Sequence, residues 1–230
     1  DIVERRFDLD RCAWGDDPAI YVVYIDGLCD HELIENTLIK PITWEWRNKD
    51  TADLWEHIIS CEGQTADYTQ ESDMDNVVLR GDTAIFVSGS DQAIVVSSKH
   101  FPVRGIEESS TEGGMRGPRD SFNENFRTST ALIRRRIKDV HLKLEQGTMG
   151  VRSRTEYGIF YMEDIAEPEL VQQIRDTIDK YEIDAVFDSG MAEHLMEKKW
   201  QEIFPIYQAT TRPDKAAAAL VEGRVVVVFD

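Results

Sequence analysis

Two stretches of this chain repeat one another in outline, and any fold has to give both the same plan. Shifted by 137 positions, Val3 falls on Val140, Phe7 on Leu144, Val22 on Ile159, Tyr24 on Tyr161, Asp26 on Glu163, Leu28 on Ile165, Glu32 on Glu169 and Leu33 on Leu170. A shift of 140 brings the segment around Trp55 onto that around Leu195, and a shift of 142 takes Val78 to Leu220, Leu79 to Val221, Gly81 to Gly223 and Phe86 to Val228. A slow upward drift of this kind is what loop insertions in one copy produce, so the chain reads as an internal duplication. The expected fold is α/β: two similar subdomains over 1–105 and 120–230, each a mixed sheet with helices packed on it, joined by a connector loop over 106–119. On this overlay the first subdomain lacks a counterpart of the helix expected over Asp120–Lys138. The second lacks a closing strand, since Asp230 falls on Ser88, and both ends therefore read as truncated.

Local patterns fill in the elements. Val3, Arg5, Phe7 and Leu9 alternate with charged neighbours, the period of a half-buried strand, and AIYVVYI over 19–25 predicts a more deeply buried one. Asp26-Gly27 ends that strand, and Asp30 is placed to cap a helix from His31 to Ile39 that Pro41 closes. Leu54, Trp55, Ile58 and Ile59 share one side of a helix over Thr51–Ser60, whereas Glu62–Asp73 is polar and reads as a loop. Asp75–Leu79 is expected as a short helical turn. Gly81 then introduces a strand over Thr83–Val87, and Ser88-Gly89-Ser90-Asp91 supplies hairpin-turn chemistry before a strand over Ala93–Ser97. Near the end, Pro213 opens a helix through four alanines that stops at Gly223, and VVVVF over 225–229 lacks alternation, as a strand covered on both faces does.

The segment from Phe101 to Asp139 lies between the two copies and concentrates arginine in an otherwise acidic protein. Pro102 ends a strand, and Gly113-Gly114 and Gly117-Pro118 mark a helix-free loop that carries Arg116 and Arg119. Ser121 and Glu124 have the spacing of a capping box, with Asp120 adding negative charge near the positive end of the helix that follows. Phe122, Phe126, Ser129, Ile133 and Ile137 form its expected buried stripe; Arg127, Arg134 and Lys138 share another face, with Arg135 and Arg136 beside it.

Composition narrows the chemistry. A formal charge of -18, from 44 acidic against 26 basic residues, argues against nucleic acid, whose phosphates require a basic footprint. Cys12, Cys29 and Cys61 form neither an even disulfide set nor a CxxC, which favours a reducing compartment. No run approaches the roughly 18 consecutive apolar residues of a membrane-spanning helix. His57 and Cys61 stand four apart, yet no further ligand completes a metal site, so no metal or cofactor is expected. GGMRGPRD lacks the GK[ST] ending of a phosphate loop, and Phe187-Asp188-Ser189-Gly190 reads as a turn rather than a nucleophile site. Asp26 and Glu163 end equivalent strands and read as turn formers. Trp44 and Trp46 are either core or an exposed binding patch, core being the safer reading. No catalytic constellation survives, and the chain is not expected to be an enzyme.

The strings FPVRGIEES, RGPRDSF and TALIRRRIKD, followed by RPDKAAAALVEGRV, resemble the A subunit of spore germinant receptors, the GerA family, in the order that family has them. The resemblance spans nearly the whole chain but only the part of that subunit ahead of its membrane segments. It implies a soluble N-terminal domain on the cytosolic, spore-core side of the spore inner membrane, with other receptor subunits as partners and attachment through segments outside this sequence. The function it implies is signalling: coupling nutrient detection to germination, by a change in the relative orientation of two units that biases a membrane assembly between states. Arg104, Arg116, Arg119, Arg127, Arg134, Arg135 and Arg136 are then candidate contacts between units or subunits, or with an anionic ligand. Against this stands the plainer reading: the loop arginines pair with the protein's own acids, and Arg134–Arg136 form a solvated helix face. An alternative function is capture of a small nutrient in a cleft between the two subdomains, the general design of substrate-binding proteins.

Overall fold

The computed structural model describes residues 2–8, 19–45, 63–67, 71–88, 92–100, 120–180, 183–187, 189–196 and 207–230. The chain divides into two compact units, Asp1–Phe101 and Pro102–Asp230.

The first unit is built on a sheet of β1 (Ile2–Asp8), β2 (Ala19–Ile25), β3 (Gly63–Asp67), β4 (Thr83–Val87) and β5 (Gln92–Val96), in the order β1-β2-β4-β5-β3. Alternation puts Ile20, Val22 and Tyr24 on one face of β2, where Phe7 and Val3 stand opposite Ile20 and Tyr24. A helical segment covers that face with Ile34, Leu38, Ile39 and Ile42. It starts as α1 (His31–Ile34), capped as expected by Asp30, whose Oδ1 accepts the Glu32 and Leu33 amides at 3.0 and 3.1 Å. Pro41 does not stop it. The path widens into π-helical turns over Glu35–Ile39 and Pro41–Glu45, and the proline heads the second, where its missing N–H costs least.

Every strand pairing in this sheet is antiparallel, which corrects the mixed sheet expected from helices between strands. A helical connection returns the chain antiparallel as readily as it crosses over. β3 is a second correction. Its sequence, GQTAD, has no apolar alternation, and its place rests on a backbone ladder from Gly63↔Val96 to Asp67↔Gln92. The helix that follows, α2 (Glu71–Leu79), begins ahead of the expected Asp75. The helix expected over Thr51–Ser60, with His57 and Cys61, lies outside the described residues, as do Cys12, Trp46 and the side chain of Trp44.

The second unit has α3 (Phe126–Arg136), β6 (Leu142–Met149), β7 (Thr155–Met162), α4 (Pro168–Asp179), α5 (Ser189–Met196), α6 (Pro213–Val221) and β8 (Val226–Phe229), with strand order β6-β7-β8, again antiparallel throughout. Helices pack on both faces. Phe126, Ile133 and Ile137, with Ala217 and Leu220 of α6, cover Leu142, Phe160, Met162 and Val228; Ile174, Ile178 and Ala192 cover Ile159 and Met149 on the other side. β8 divides its side chains between these two cores, Val226 and Val228 to one and Val227 and Phe229 to the other, which is why it shows no alternation. Gly158 lets α3 sit close, since a Cβ there would lie 2.7 Å from Leu144 Cδ1 and 2.8 Å from Phe126 Cζ. Ser189-Gly190 opens α5 instead of forming the expected turn.

The ladders of the two units can be compared directly. β2 and β4 pair in the register Ile20↔Val87 and Val22↔Ile85, and β7 and β8 in the register Tyr157↔Phe229 and Ile159↔Val227, which are the same pairs under shifts of 137 and 142. The first strands differ from the sequence overlay. Arg5 faces Val22 and Glu145 faces Ile159, so β1 corresponds to β6 at a shift of 140, and Val140 lies in the turn ahead of β6.

Across β6, β7 and α4, Arg175 Nε donates to Glu145 Oε2 at 2.7 Å, its Nη2 bonds Glu145 Oε1, and the Tyr161 hydroxyl donates to Oε1 at 2.7 Å. The Arg175 guanidinium holds the Glu145 carboxyl below its ordinary value of 4.5. A depressed carboxyl contributes stability above its unfolded value and loses it as pH falls through the folded one. Glu145→Gln is therefore expected to flatten the decline in melting temperature below pH 4.5 while lowering the neutral-pH value; an unchanged acid limb in a calorimetric pH series would refute this.

Candidate functional site

Helix α3 carries four of the candidate arginines. It starts four residues later than the capping box implied: Asn125 is the cap in place of Ser121, its Oδ1 accepting the Thr128 amide at 2.9 Å. Ser121 is occupied elsewhere. Its Oγ donates to the Thr211 carbonyl at 3.0 Å and the Phe122 amide donates to the same carbonyl at 2.9 Å, so this stretch runs extended. The expected stripe holds, with Phe126, Ser129, Ile133 and Ile137 buried and Phe122 packed against them. The three arginines of the last turn, Arg134, Arg135 and Arg136, sit where the helix dipole favours cations.

These side chains do different things. Arg134 is 4% exposed, which corrects the solvated face read from sequence. Its Nη1 donates to the Leu142 carbonyl at 2.7 Å, tying the end of α3 to the start of β6. Burial pushes its pKa down to about 10, so the group stays cationic at neutral pH. Arg136 is half-buried and donates through Nη1 to the Leu132 carbonyl at 2.9 Å and through Nη2 to Asp120 Oδ2 at 2.5 Å. Asp120 thus anchors the extended stretch to the helix's far end and not to its N-terminus. Arg127 and Arg135 are exposed, at opposite ends of the helix. Lys138 does not share the expected face, because the helix has ended and Ile137 is extended. Arg104, Arg116 and Arg119, with the glycine-rich loop, lie outside the described residues.

One feature of this corner went unread in the sequence. His141 Nδ1 lies 2.8 Å from Asp139 Oδ1, which also accepts the His141 amide at 2.9 Å. The bond to Asp139 raises the imidazole's pKa, and the His141 amide, followed by its imidazole, lowers that of the Asp139 carboxyl. Asp26 and Glu163 both lie in turns; Asp26 pairs with His31 at 2.6 Å and Glu163 with Lys143 at 3.1 Å. Among the described residues no group of three or more His, Cys, Asp or Glu could hold a metal ion, and no helix is long and apolar enough to cross a membrane.

The helix carries four arginines, of which Arg134 is buried and tied to β6 while Arg127 and Arg135 are exposed. Among curated proteins, the chain is 31% identical to uncharacterized membrane protein YfkQ of Bacillus subtilis over 100% of this chain and 44% of that protein. It is 31% identical to spore germination protein KA of Bacillus subtilis, covering 91% and 39%, and 33% identical to stage V sporulation protein AF of the same organism, covering 93% and 44%. It therefore spans less than half the length of these relatives. The crystal structure of the N-terminal domain of the A subunit of the Bacillus megaterium spore germinant receptor GerK3 matches with a TM-score of 0.71 at 28% identity, over 100% of this chain and 84% of that one. The model of the Bacillus/Clostridium GerA spore germination protein family matches residues 1–230, and the chain belongs to that family.

Proposed function

We propose that this chain is the soluble N-terminal domain of a germinant-receptor A subunit and that it works without catalytic chemistry of its own. In this reading it couples nutrient detection in the receptor to release from dormancy, at the spore inner membrane and on its core side, with the membrane attachment supplied by the rest of the protein. The observation that carries the reading is the likeness, over the whole of this chain, to the GerK3 A-subunit domain. The two units descend from one ancestral α/β plan; the shared register of β2–β4 and β7–β8 supports this. Arg127 and Arg135 contact a neighbouring receptor subunit through its carboxylates. Arg134 and Arg136 hold the helix that presents them, and Arg104, Arg116 and Arg119 are further candidate contacts.

The test uses spores that carry the full-length protein with Arg127→Glu and Arg135→Glu together. Nutrient-triggered germination, followed as loss of optical density, is expected to slow at least roughly tenfold, with the subunit's abundance unchanged, since reversing a rim charge places like charges together. The Arg→Lys pair is expected to keep most of the response. Germination at the wild-type rate in the double Glu variant would sink the contact assignment.

A further inference from the structure

We propose that the free edge of β8, with the turn over Ile165–Glu167 beside it, is the docking site for a further β-strand of this same polypeptide. That strand would follow β8 as β5 follows β4. The inference rests on the duplication reading and adds to it the groups that receive the strand.

Unit one shows how such a surface is covered. There β5 pairs antiparallel with β4, and the residues after β5 continue across the turn that follows β2. The Asp30 amide donates to the Ser98 carbonyl at 2.7 Å, the His100 amide donates to the Leu28 carbonyl at 2.9 Å, and Cys29 bridges Lys99. Under this cover Leu28 is 1% exposed and Leu79 6%.

Unit two repeats the receiving geometry. The Leu28 amide donates to Ile25 O and the Ile165 amide to Met162 O; Gly81 donates to Val78 O and Gly223 to Leu220 O; Asp82 donates to Val77 O and Arg224 to Ala219 O. The Ser88 amide donates to Ala19 O, and the Asp230 amide to Glu156 O. That last bond fixes the phase of β8: Val227 and Phe229 turn their backbone groups away from β7, toward an edge that has no ladder partner among the described residues. The covering contacts are what differs. Ile165 and Val221, equivalent to Leu28 and Leu79, are 49% and 56% exposed, and Leu170, five residues past Ile165 in sequence, is 37% exposed. An open edge next to an apolar patch is the surface that strand addition satisfies. The chain spans under half the length of these relatives, whose further polypeptide is the proposed source of the strand. The occupant's chemistry follows from β5: about five residues of small and β-branched apolar type, then a small polar residue in extended conformation crossing Ile165.

Hydrogen exchange tests this on purified protein and does not depend on germination, so it can fail while the receptor reading stands, and the reverse. The amides of Val227, Phe229 and Glu167 would be compared in this chain and in the natural protein carried on by about 20 residues past Asp230. In the lengthened protein they are expected to slow on the order of 100-fold, independently of concentration. Ile165→Asp or Val221→Asp is expected to erase the slowing at Glu167 there, while leaving the 230-residue chain's melting temperature unchanged because both side chains are exposed in it. Unchanged exchange in the lengthened protein overturns the proposal. So does slowing in the 230-residue chain that grows with its concentration, which would assign the edge to a second copy.

Discussion

Gly81→Ala is expected to destabilise the first unit by about 3 kcal/mol, the sum of a backbone cost of about 1–2 kcal/mol and an overpacking cost of similar size. Gly81 has φ +90°, a conformation an L side chain adopts only under strain. An added Cβ would lie 2.8 Å from the Leu28 carbonyl oxygen and 3.2 Å from Leu28 Cβ. The first of these is backbone and cannot rotate aside, because that carbonyl accepts the His100 amide. Movement of Gly81 itself would disturb its own carbonyl, which accepts the Cys29 thiol at 3.4 Å and the Ser98 hydroxyl at 3.3 Å. Gly223 provides the internal control. It has φ +86° in the corresponding turn, but its added Cβ would meet the Ile165 Cγ2 methyl at 3.1 Å and the carbonyl only at 3.3 Å. Gly223→Ala should therefore cost little beyond the backbone term of about 1–2 kcal/mol. Hydrogen exchange resolved by unit measures both. Equal losses at the two glycines would show that the Leu28 carbonyl is not the obstacle.

Those two glycines also mark how far the sequence could be read. Their common shift of 142 and the matching of Val22 to Ile159 were legible because buried strands and tight turns restrict residue type strongly. β2 and α6 follow the sequence reading closely for the same reason: AIYVVYI and PDKAAAALV each satisfy one local pattern along their whole length. β3 was not legible. GQTAD is held by ladder bonds to β5, and a backbone ladder leaves no signature in side-chain type. Nor did the pairing of the first strands show, since Val3 and Val140 match by type whereas the ladders put Lys143 at the place in unit two that Val3 has in unit one. At the candidate site the buried stripe of α3 could be read from its spacing, but the helix start could not. Ser121 and Asn125 are equally good caps in isolation, and a tertiary bond to the Thr211 carbonyl decides between them. The burial of Arg134 was hidden by the general preference of arginine for the surface, which three consecutive arginines reinforce.

Arg134 yields the other large effect. Arg134→Ala should cost the second unit about 3 kcal/mol: roughly 1–3 kcal/mol for leaving the buried Leu142 carbonyl without its charged donor, and more for the space vacated beneath α3. At the per-residue enthalpies of domains this size, that lowers the unit's melting temperature by about 6–12 °C. Arg134→Met restores much of the volume but no donor and should recover only part of the loss. Arg134→Lys keeps the charge yet lacks the planar fork that reaches the carbonyl, and should fall between the two. Arg135→Ala, one position on and exposed, should stay within about 0.5 kcal/mol of wild type. The contrast separates architecture from contact. If Arg134 is structural, its Ala variant loses germination only as far as the unit itself unfolds, and a stabilising change elsewhere in the unit restores the response. Charge reversal at Arg135 should instead weaken germination at full stability, and no stabilising change should rescue it. An Arg134→Ala unit that melts like wild type would place that guanidinium's importance outside the fold and return it to the set of contact arginines.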